Sequence, residues 1–194
     1  MKSIRVINSN GIELNDSLLI SPKIFPDERG FFFESWNQLK FDEIIGQKVS
    51  FCQDNHSRST IGVLRGMHYQ LGPHSQGKLV RCTQGSIYDV AVDIRRSSKT
   101  FGKWGGVILS DENKQQLWIP RGFAHGFLTL SETADVQYKT DDFWDKDSER
   151  SLIWNDKDLN INWPKNSNFK EPKLSKKDKE APSFIDAKLK GDIF

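Results

Sequence analysis

Residues Ile87–Ile94 read IYDVAVDI, and the alternation in this stretch decides the fold class. Tyr88, Val90, Val92 and Ile94 fall on one face and Asp89 and Asp93 on the other, the period of two that an extended strand imposes. Similar stretches lie on both sides of it: Ser17–Ile24, Val49–Asp54, Gly62–Gln70, Lys78–Thr83, Gly105–Ser110, Gln115–Ile119, Ala124–Leu130 and Asp135–Thr140. Turn residues separate them at Asn10-Gly11, Thr83-Gln84-Gly85-Ser86 and Pro120-Arg121-Gly122. So many short strands at this spacing read as an all-β sandwich or barrel.

Two stretches depart from the pattern. Glu34–Ile45 is expected to be a helix closed by Gly46. Ser175–Lys179 carries the capping-box spacing Ser175-x-x-Asp178. No repeat and no domain boundary is visible before about residue 165, and Asn162–Lys173 reads as a connecting loop. The expected organisation is one domain over 1–194, with a barrel core over about 15–165 and a helical segment over about 174–194.

Composition narrows the function. Hydrophobic residues are 36% of the 194, with 13 Phe and 6 Trp, enough to fill a core and inconsistent with disorder. A net charge of +2 does not mark a nucleic-acid binder, and the lysines between Lys165 and Lys190 read as a solvated face. Cys52 and Cys82 show no zinc-type spacing and are expected to be buried free thiols. The N-terminal residues lack the apolar run of a signal peptide, and no stretch approaches the roughly 20 apolar residues of a membrane span. The cytoplasm, with no membrane partner, is the expected setting.

The polar residues within strands carry the functional signal, because a charge pointing into a small barrel needs a partner or a ligand. In Gly62–Gln70 (GVLRGMHYQ), Arg65 and His68 differ in parity and would face opposite ways in a regular strand. Gly66 lies between them, and a glycine inside a strand often marks a bulge. A bulge there would turn both side chains into one cavity; ladder hydrogen bonds running unbroken through Gly66 would contradict it.

The chain resembles the dTDP-4-dehydrorhamnose 3,5-epimerase family. The residues that carry the likeness are FPDERGFFFESW (Phe25–Trp36), FCQDNHSRS (Phe51–Ser59), GVLRGMHYQ (Gly62–Gln70), Gln76–Gly102, QLWIPRGFAHGFLTLSE (Gln116–Glu132), YKT (Tyr138–Thr140), IWND (Ile153–Asp156), INWP (Ile161–Pro164) and LSKKD (Leu174–Asp178). They follow one order over about residues 15–180, which makes the likeness specific. It implies a cupin-type jelly-roll barrel with short flanking helices, and a homodimer that exchanges strands at the barrel edge. It also implies a dTDP-4-keto-6-deoxyhexose as substrate, with no cofactor and no metal.

The implied reaction removes and returns protons at C3 and C5, next to the C4 ketone. It needs a base, a stabiliser for the enolate oxygen, and an acid on the other face of the sugar. An imidazole has a pKa near 6.5 in water and is mostly neutral at pH 7, so His68 suits the base. The resemblance makes Asp178 its carboxylate partner, although Asp178 alone reads as a helix cap. Tyr138, ordinarily a strand aromatic, becomes the acid. Lys78 opens the strand KLVRC and would place an ammonium near the C4 oxygen. Arg29 and Arg65 suit the diphosphate, since a guanidinium fork matches phosphate oxygens. Gln53, Asp54, Asn55, His125, Glu149 and Lys177 match further substrate positions, and Glu34 and Arg29 belong to a segment that the family brings to the partner's site. Where many members carry two adjacent tyrosines, this chain has Phe143-Trp144, which keeps stacking and loses hydroxyl contacts.

Other functions compete with this one. The four histidines, His56, His68, His74 and His125, show no H-x-H or H-x-x-x-H spacing, so a metal-dependent dioxygenase is poorly supported. A C3-only epimerase or a 3,4-ketoisomerase would use a similar base. A sugar-nucleotide-binding cupin without catalysis would not need base, acid and cation together.

Overall fold

A computed structural model describes residues 1–7, 11–165 and 167–194; Asn10 of the Asn10-Gly11 turn lies outside the described residues. In chain order the strands are β1 (Lys2–Ile7), β2 (Glu13–Ser21), β3 (Ile24–Asp27), β4 (Gly30–Phe33), β5 (Gln53–Thr60), β6 (Leu64–Gln70) and β7 (Lys78–Gln84). They continue as β8 (Ser86–Asp93), β9 (Trp104–Ser110), β10 (Gln116–Ile119), β11 (Phe123–Thr129), β12 (Thr133–Thr140) and β13 (Glu149–Ser151). The helices are α1 (Gln38–Ile45), α2 (Lys176–Lys179) and α3 (Phe184–Lys190).

Two antiparallel sheets face each other, ordered β1-β2-β10-β7-β12-β5 and β13-β6-β11-β8-β9. This is the expected jelly-roll layout, with the sheets closing on an apolar interior. Val80, Cys82, Ile87, Ala91, Phe123, Phe127, Ala134 and Val136 fill that interior. Two more clusters cover the outer faces. Met67, Tyr69, Val90, Val92 and Ile94 pack outward against Leu152, Phe184, Ala187 and Ile193. Ile20, Leu79 and Trp118 pack against Phe41 of α1 and Val49. In IYDVAVDI the apolar face therefore looks outward under the C-terminal segment, and Asp89 and Asp93 sit on the inward-facing side.

Several boundaries differ from the sequence expectation. The helix starts at Gln38, not Glu34, because the Asn37 side chain accepts a hydrogen bond from the Lys40 amide (3.1 Å) and caps it; Gly46 closes it at φ 72° as expected. The strand expected over Val49–Asp54 lies instead at Gln53–Thr60, whose polar sequence QDNHSRST offers no apolar alternation. That shift leaves Cys52 exposed, against expectation, while Cys82 is buried; both are free thiols. Strands β1, β3, β4 and β13 were not read from the sequence, whereas α3 lies within the helical segment expected over about 174–194.

The bulge at Gly66 is present. Along β6 and β11 the pairing runs His68 with His125 and then Arg65 with Phe127, three residues against two. Gly66 has φ +131°, and a Cβ there would lie 2.5 Å from the Gly126 Cα, so only glycine lets the strands approach this closely. The extra residue turns Arg65 and His68 to the same inner side.

Candidate active site

The bulge and the inward faces of β5, β6, β7, β11 and β12 surround a cavity of about 260 Å3. Asn55, Arg65, His68, Lys78, His125, Tyr138 and Glu149 line it, so seven of the residues singled out from the sequence meet in one place. A larger hollow of about 670 Å3, lined by Trp154, Trp163 and Phe169, lies apart from these groups.

His68 Nε2 lies 2.6 Å from Asp178 Oδ1, although 110 residues separate them. Asp178 is 3% exposed and sits in α2. Its amide donates to Ser175 Oγ (3.1 Å), and its Oδ2 accepts the Ser175 hydroxyl (2.8 Å), so helix capping and contact with the histidine coexist. Burial would raise the Asp178 pKa, but the hydrogen bond and charge of His68 and the Ser175 hydroxyl outweigh it and hold it below the usual carboxylate value. An ionised carboxylate can only accept, so His68 Nε2 carries the ring proton and Nδ1 is left as a proton acceptor.

Lys78 is buried inside the barrel, with its ammonium 3.5 Å from the His68 carbonyl and 6.0 Å from the centre of the Tyr138 ring. Burial lowers its pKa to about 8, against the pull of Asp89 and Glu149. Tyr138 goes the other way: burial raises its pKa, Arg65 opposes and Glu149 adds, so the phenol stays protonated. His125 Nε2 lies 2.7 Å from Asp89 Oδ1. Burial keeps the His125 pKa below the ordinary value despite the charge and hydrogen bond of Asp89, with Lys78 and His68 adding to the lowering.

The other singled-out residues fall around or away from this group. Lys177 pairs with Glu149 at 2.6 Å. Gln53 bonds Asn55 Oδ1 (3.0 Å) and the Trp144 amide (3.1 Å). Asp54 faces outward and pairs with Lys139 at 2.9 Å. Arg29 and Glu34 do not reach the cavity. Arg29 is 85% exposed beside Asp27, and Glu34 bonds Lys40 and Asn37. Sequence reasoning missed Gln70, Gln76 and the site role of Asp89. The alternation of β8 separates Asp89 from its apolar neighbours but does not say which side faces in.

An imidazole oriented by a carboxylate, a buried ammonium and a protonated phenol around one small hollow can move protons on carbon and steady the charge that appears between those moves. Among the described residues no group of three or more His, Cys, Asp or Glu is placed to hold a metal ion. Fold and cavity together define a jelly-roll protein with a site for acid–base chemistry.

Comparison with known proteins narrows the class. A family model described as dTDP-4-dehydrorhamnose 3,5-epimerase matches residues 11–186, and the chain belongs to that family. It is 59% identical over 175 residues to the dTDP-4-dehydrorhamnose 3,5-epimerase of Shigella flexneri, covering 90% of this chain and 94% of the relative. A crystal structure of the Legionella pneumophila 3,5-epimerase in complex with dTDP-4-keto-L-rhamnose superposes with TM-score 0.86 at 48% identity, covering 97% of both chains. A 3'-monoepimerase from Streptomyces bikiniensis, bound to dTDP-quinovose, reaches TM-score 0.87 at 31% identity, covering 94% of this chain and 90% of its own.

Proposed function

We propose that this isomerase converts dTDP-4-dehydro-6-deoxy-D-glucose to dTDP-4-dehydro-L-rhamnose, inverting C3 and C5 in the synthesis of dTDP-L-rhamnose. His68 Nδ1 takes the proton from each carbon, and Asp178 steadies the imidazolium that forms. The buried Lys78 ammonium stabilises the enolate oxygen. Tyr138 returns a proton from the opposite face, which is what turns proton exchange into inversion, and solvent resets both groups. Arg65, Asn55, His125 and Glu149 hold the substrate, with Gln53 and Lys177 supporting them. The observation that carries the reading is the meeting of His68 with Asp178, Lys78 and Tyr138 around one cavity. Higher identity to 3,5-epimerases than to the monoepimerase favours action at both carbons.

Incubating the purified protein with dTDP-4-keto-6-deoxyglucose in heavy water tests this. Deuterium at C3 and C5 with an L-rhamno product is expected; label at C3 alone would make it a monoepimerase, and no label would end the catalytic reading.

The active form in this proposal is a homodimer in which Arg29 and Glu34 complete the partner's site and Arg29 meets the diphosphate. Its support is the β3–β4 hairpin, which leaves Phe25, Phe31 and Phe32 47%, 59% and 69% exposed next to an arginine with no role in its own cavity. Mixing inactive Arg29→Ala and His68→Ala proteins should restore activity through mixed dimers that hold one intact site. No recovery after subunit exchange would refute the sharing.

A further inference from the structure

Helix α2 is a single turn of four residues, and only Asp178 in it is buried. One turn does not hold itself in water, so the place of this carboxylate is set from outside the helix. Upstream, Lys173 exchanges main-chain bonds with the start of β6. Its amide donates to the Gly62 carbonyl (2.7 Å), and its carbonyl accepts from the Leu64 amide (3.0 Å). Downstream, the Pro182 carbonyl accepts from the Ile153 amide (2.9 Å). These ties bring the backbone to the strand that carries His68, but they do not fix how the carboxylate is turned. Two side-chain donors do that, one on each oxygen: His68 Nε2 lies 2.6 Å from Oδ1, and the Ser175 hydroxyl lies 2.8 Å from Oδ2.

Capping uses only a lone pair of the serine, which accepts from the Asp178 amide (3.1 Å). The hydroxyl proton is free for a second task. Helix α3 shows the same motif without an imidazole. There Ser183 Oγ accepts from the Asp186 amide (3.1 Å) and donates to Asp186 Oδ2 (2.7 Å), but Asp186 is exposed. In α2 the equivalent bond ends on a carboxylate that is 3% exposed and meets the base through its other oxygen. Away from water such a bond is stronger, and its loss leaves a buried oxygen unpaired. Burial pushes the Asp178 pKa up, and the bond and charge of His68 together with the Ser175 hydroxyl hold it down.

We propose that Ser175 is a positioning residue: by bonding Asp178 Oδ2, its hydroxyl holds Oδ1 in line with His68 Nε2 and so keeps Nδ1 aimed into the cavity. The inference rests on His68 and Asp178 acting as the base couple proposed above. Ser175 is exposed and is not among the residues that line the cavity, so it acts through Asp178 and not on the sugar.

Glycine is a tolerated cap but has no hydroxyl, so Ser175→Gly and Ser183→Gly form a matched pair. Both should melt within about 5 °C of the unaltered protein. With dTDP-4-keto-6-deoxyglucose as substrate, Ser175→Gly should lower kcat about tenfold and leave KM within about twofold. Ser183→Gly should leave both unchanged, and Ser175→Thr, which restores cap and hydroxyl, should recover kcat to within about twofold. In the Asp178→Asn background, Ser175→Gly should add less than about a twofold loss, because it acts through that carboxylate. Full kcat in Ser175→Gly would overturn the proposal, as would an equal loss in Ser183→Gly or a loss that multiplies with that of Asp178→Asn. If Ser175→Gly does not fold, Ser175→Asp caps the helix without a hydroxyl and should show the same loss of kcat; full activity there would be equally fatal. Full kcat in Asp178→Asn would end the couple itself, whereas a loss there with none in Ser175→Gly would end this inference alone. A readout without turnover is the His68 Nε2 proton, followed by NMR in protein with 15N-labelled histidine. It should be sharp in the unaltered protein and in Ser175→Thr and broadened by exchange in Ser175→Gly, and an unchanged signal would refute the positioning even if the deuterium experiment removes the epimerase assignment.

Discussion

Replacing Lys78 by methionine should stabilise the protein while removing most of its activity. The ammonium is buried, and among the described residues its one hydrogen bond is the 3.5 Å contact to the His68 carbonyl. Its pKa falls from 10.5 to about 8, and this net value already includes the attraction of Asp89 and Glu149. Holding that proton at pH 6 therefore costs the fold about 3 kcal/mol. A folded-state pKa below the unfolded one means that the unfolded chain binds more protons between the two values, so wild-type stability rises with pH across that window. The penalty shrinks to about 1.4 kcal/mol by pH 9.5 and vanishes above about pH 11. At pH 6, Lys78→Met should melt roughly 6–12 °C higher than wild type, with the gap less than half as large at pH 9.5. Calorimetry of both proteins at the two pH values, beside kcat measured at pH 7, reads the effect. Loss of the charge next to the enolate oxygen should lower kcat by about a hundredfold or more. A variant less stable than wild type at pH 6, or a gap that does not change with pH, would refute the claim that burial of the charge governs this lysine.

Four further outcomes are expected. In wild type, kcat/KM should fall as pH rises through about 8, where the free enzyme's Lys78 loses its proton; a flat profile to pH 10 would contradict the role of the ammonium. Tyr138→Phe should still let solvent deuterium enter C3 and C5 by return to the original face, while product forms at least about a hundredfold more slowly; undiminished product would remove the phenol from the reaction. Asp178→Asn should reduce kcat at least about tenfold with little change in KM, because the imidazolium loses its counter-charge, and equal kcat would show the couple to be structural only. Gly66→Ala, forced against the Gly126 backbone at positive φ, should cost more than about 3 kcal/mol and drop out in a solubility or melting screen; a normal melt would mean the β6–β11 approach can relax.

Much of the barrel was legible because inward and outward residues alternate in β6 to β12. The bulge was legible too, since Arg65 and His68 differ by an odd number and a glycine lies between them. β5 was misplaced because both of its faces are polar: one edges the cavity through Asn55 and the other meets solvent and Lys139. The β3–β4 hairpin escaped because Phe31, Phe32 and Phe33 do not alternate, as befits a ribbon that leaves its rings exposed. Among site residues, those on inward strand faces came together as expected. Gln70 was invisible because its partners are main-chain groups of the His74 and Phe143–Asp145 segments, which no side-chain pattern announces. Arg29 and Glu34 lie outside the cavity, and nothing within one chain brings them to it.

The partner of His68 comes from outside the sheets, on a short helix that docks from 110 positions downstream. Chemical competence is therefore separable from formation of the β-framework. A polypeptide still emerging from the ribosome could close its sheets with the imidazole in place and yet have no counter-ion for it. The imidazole gains its counter-ion only when α2 seats.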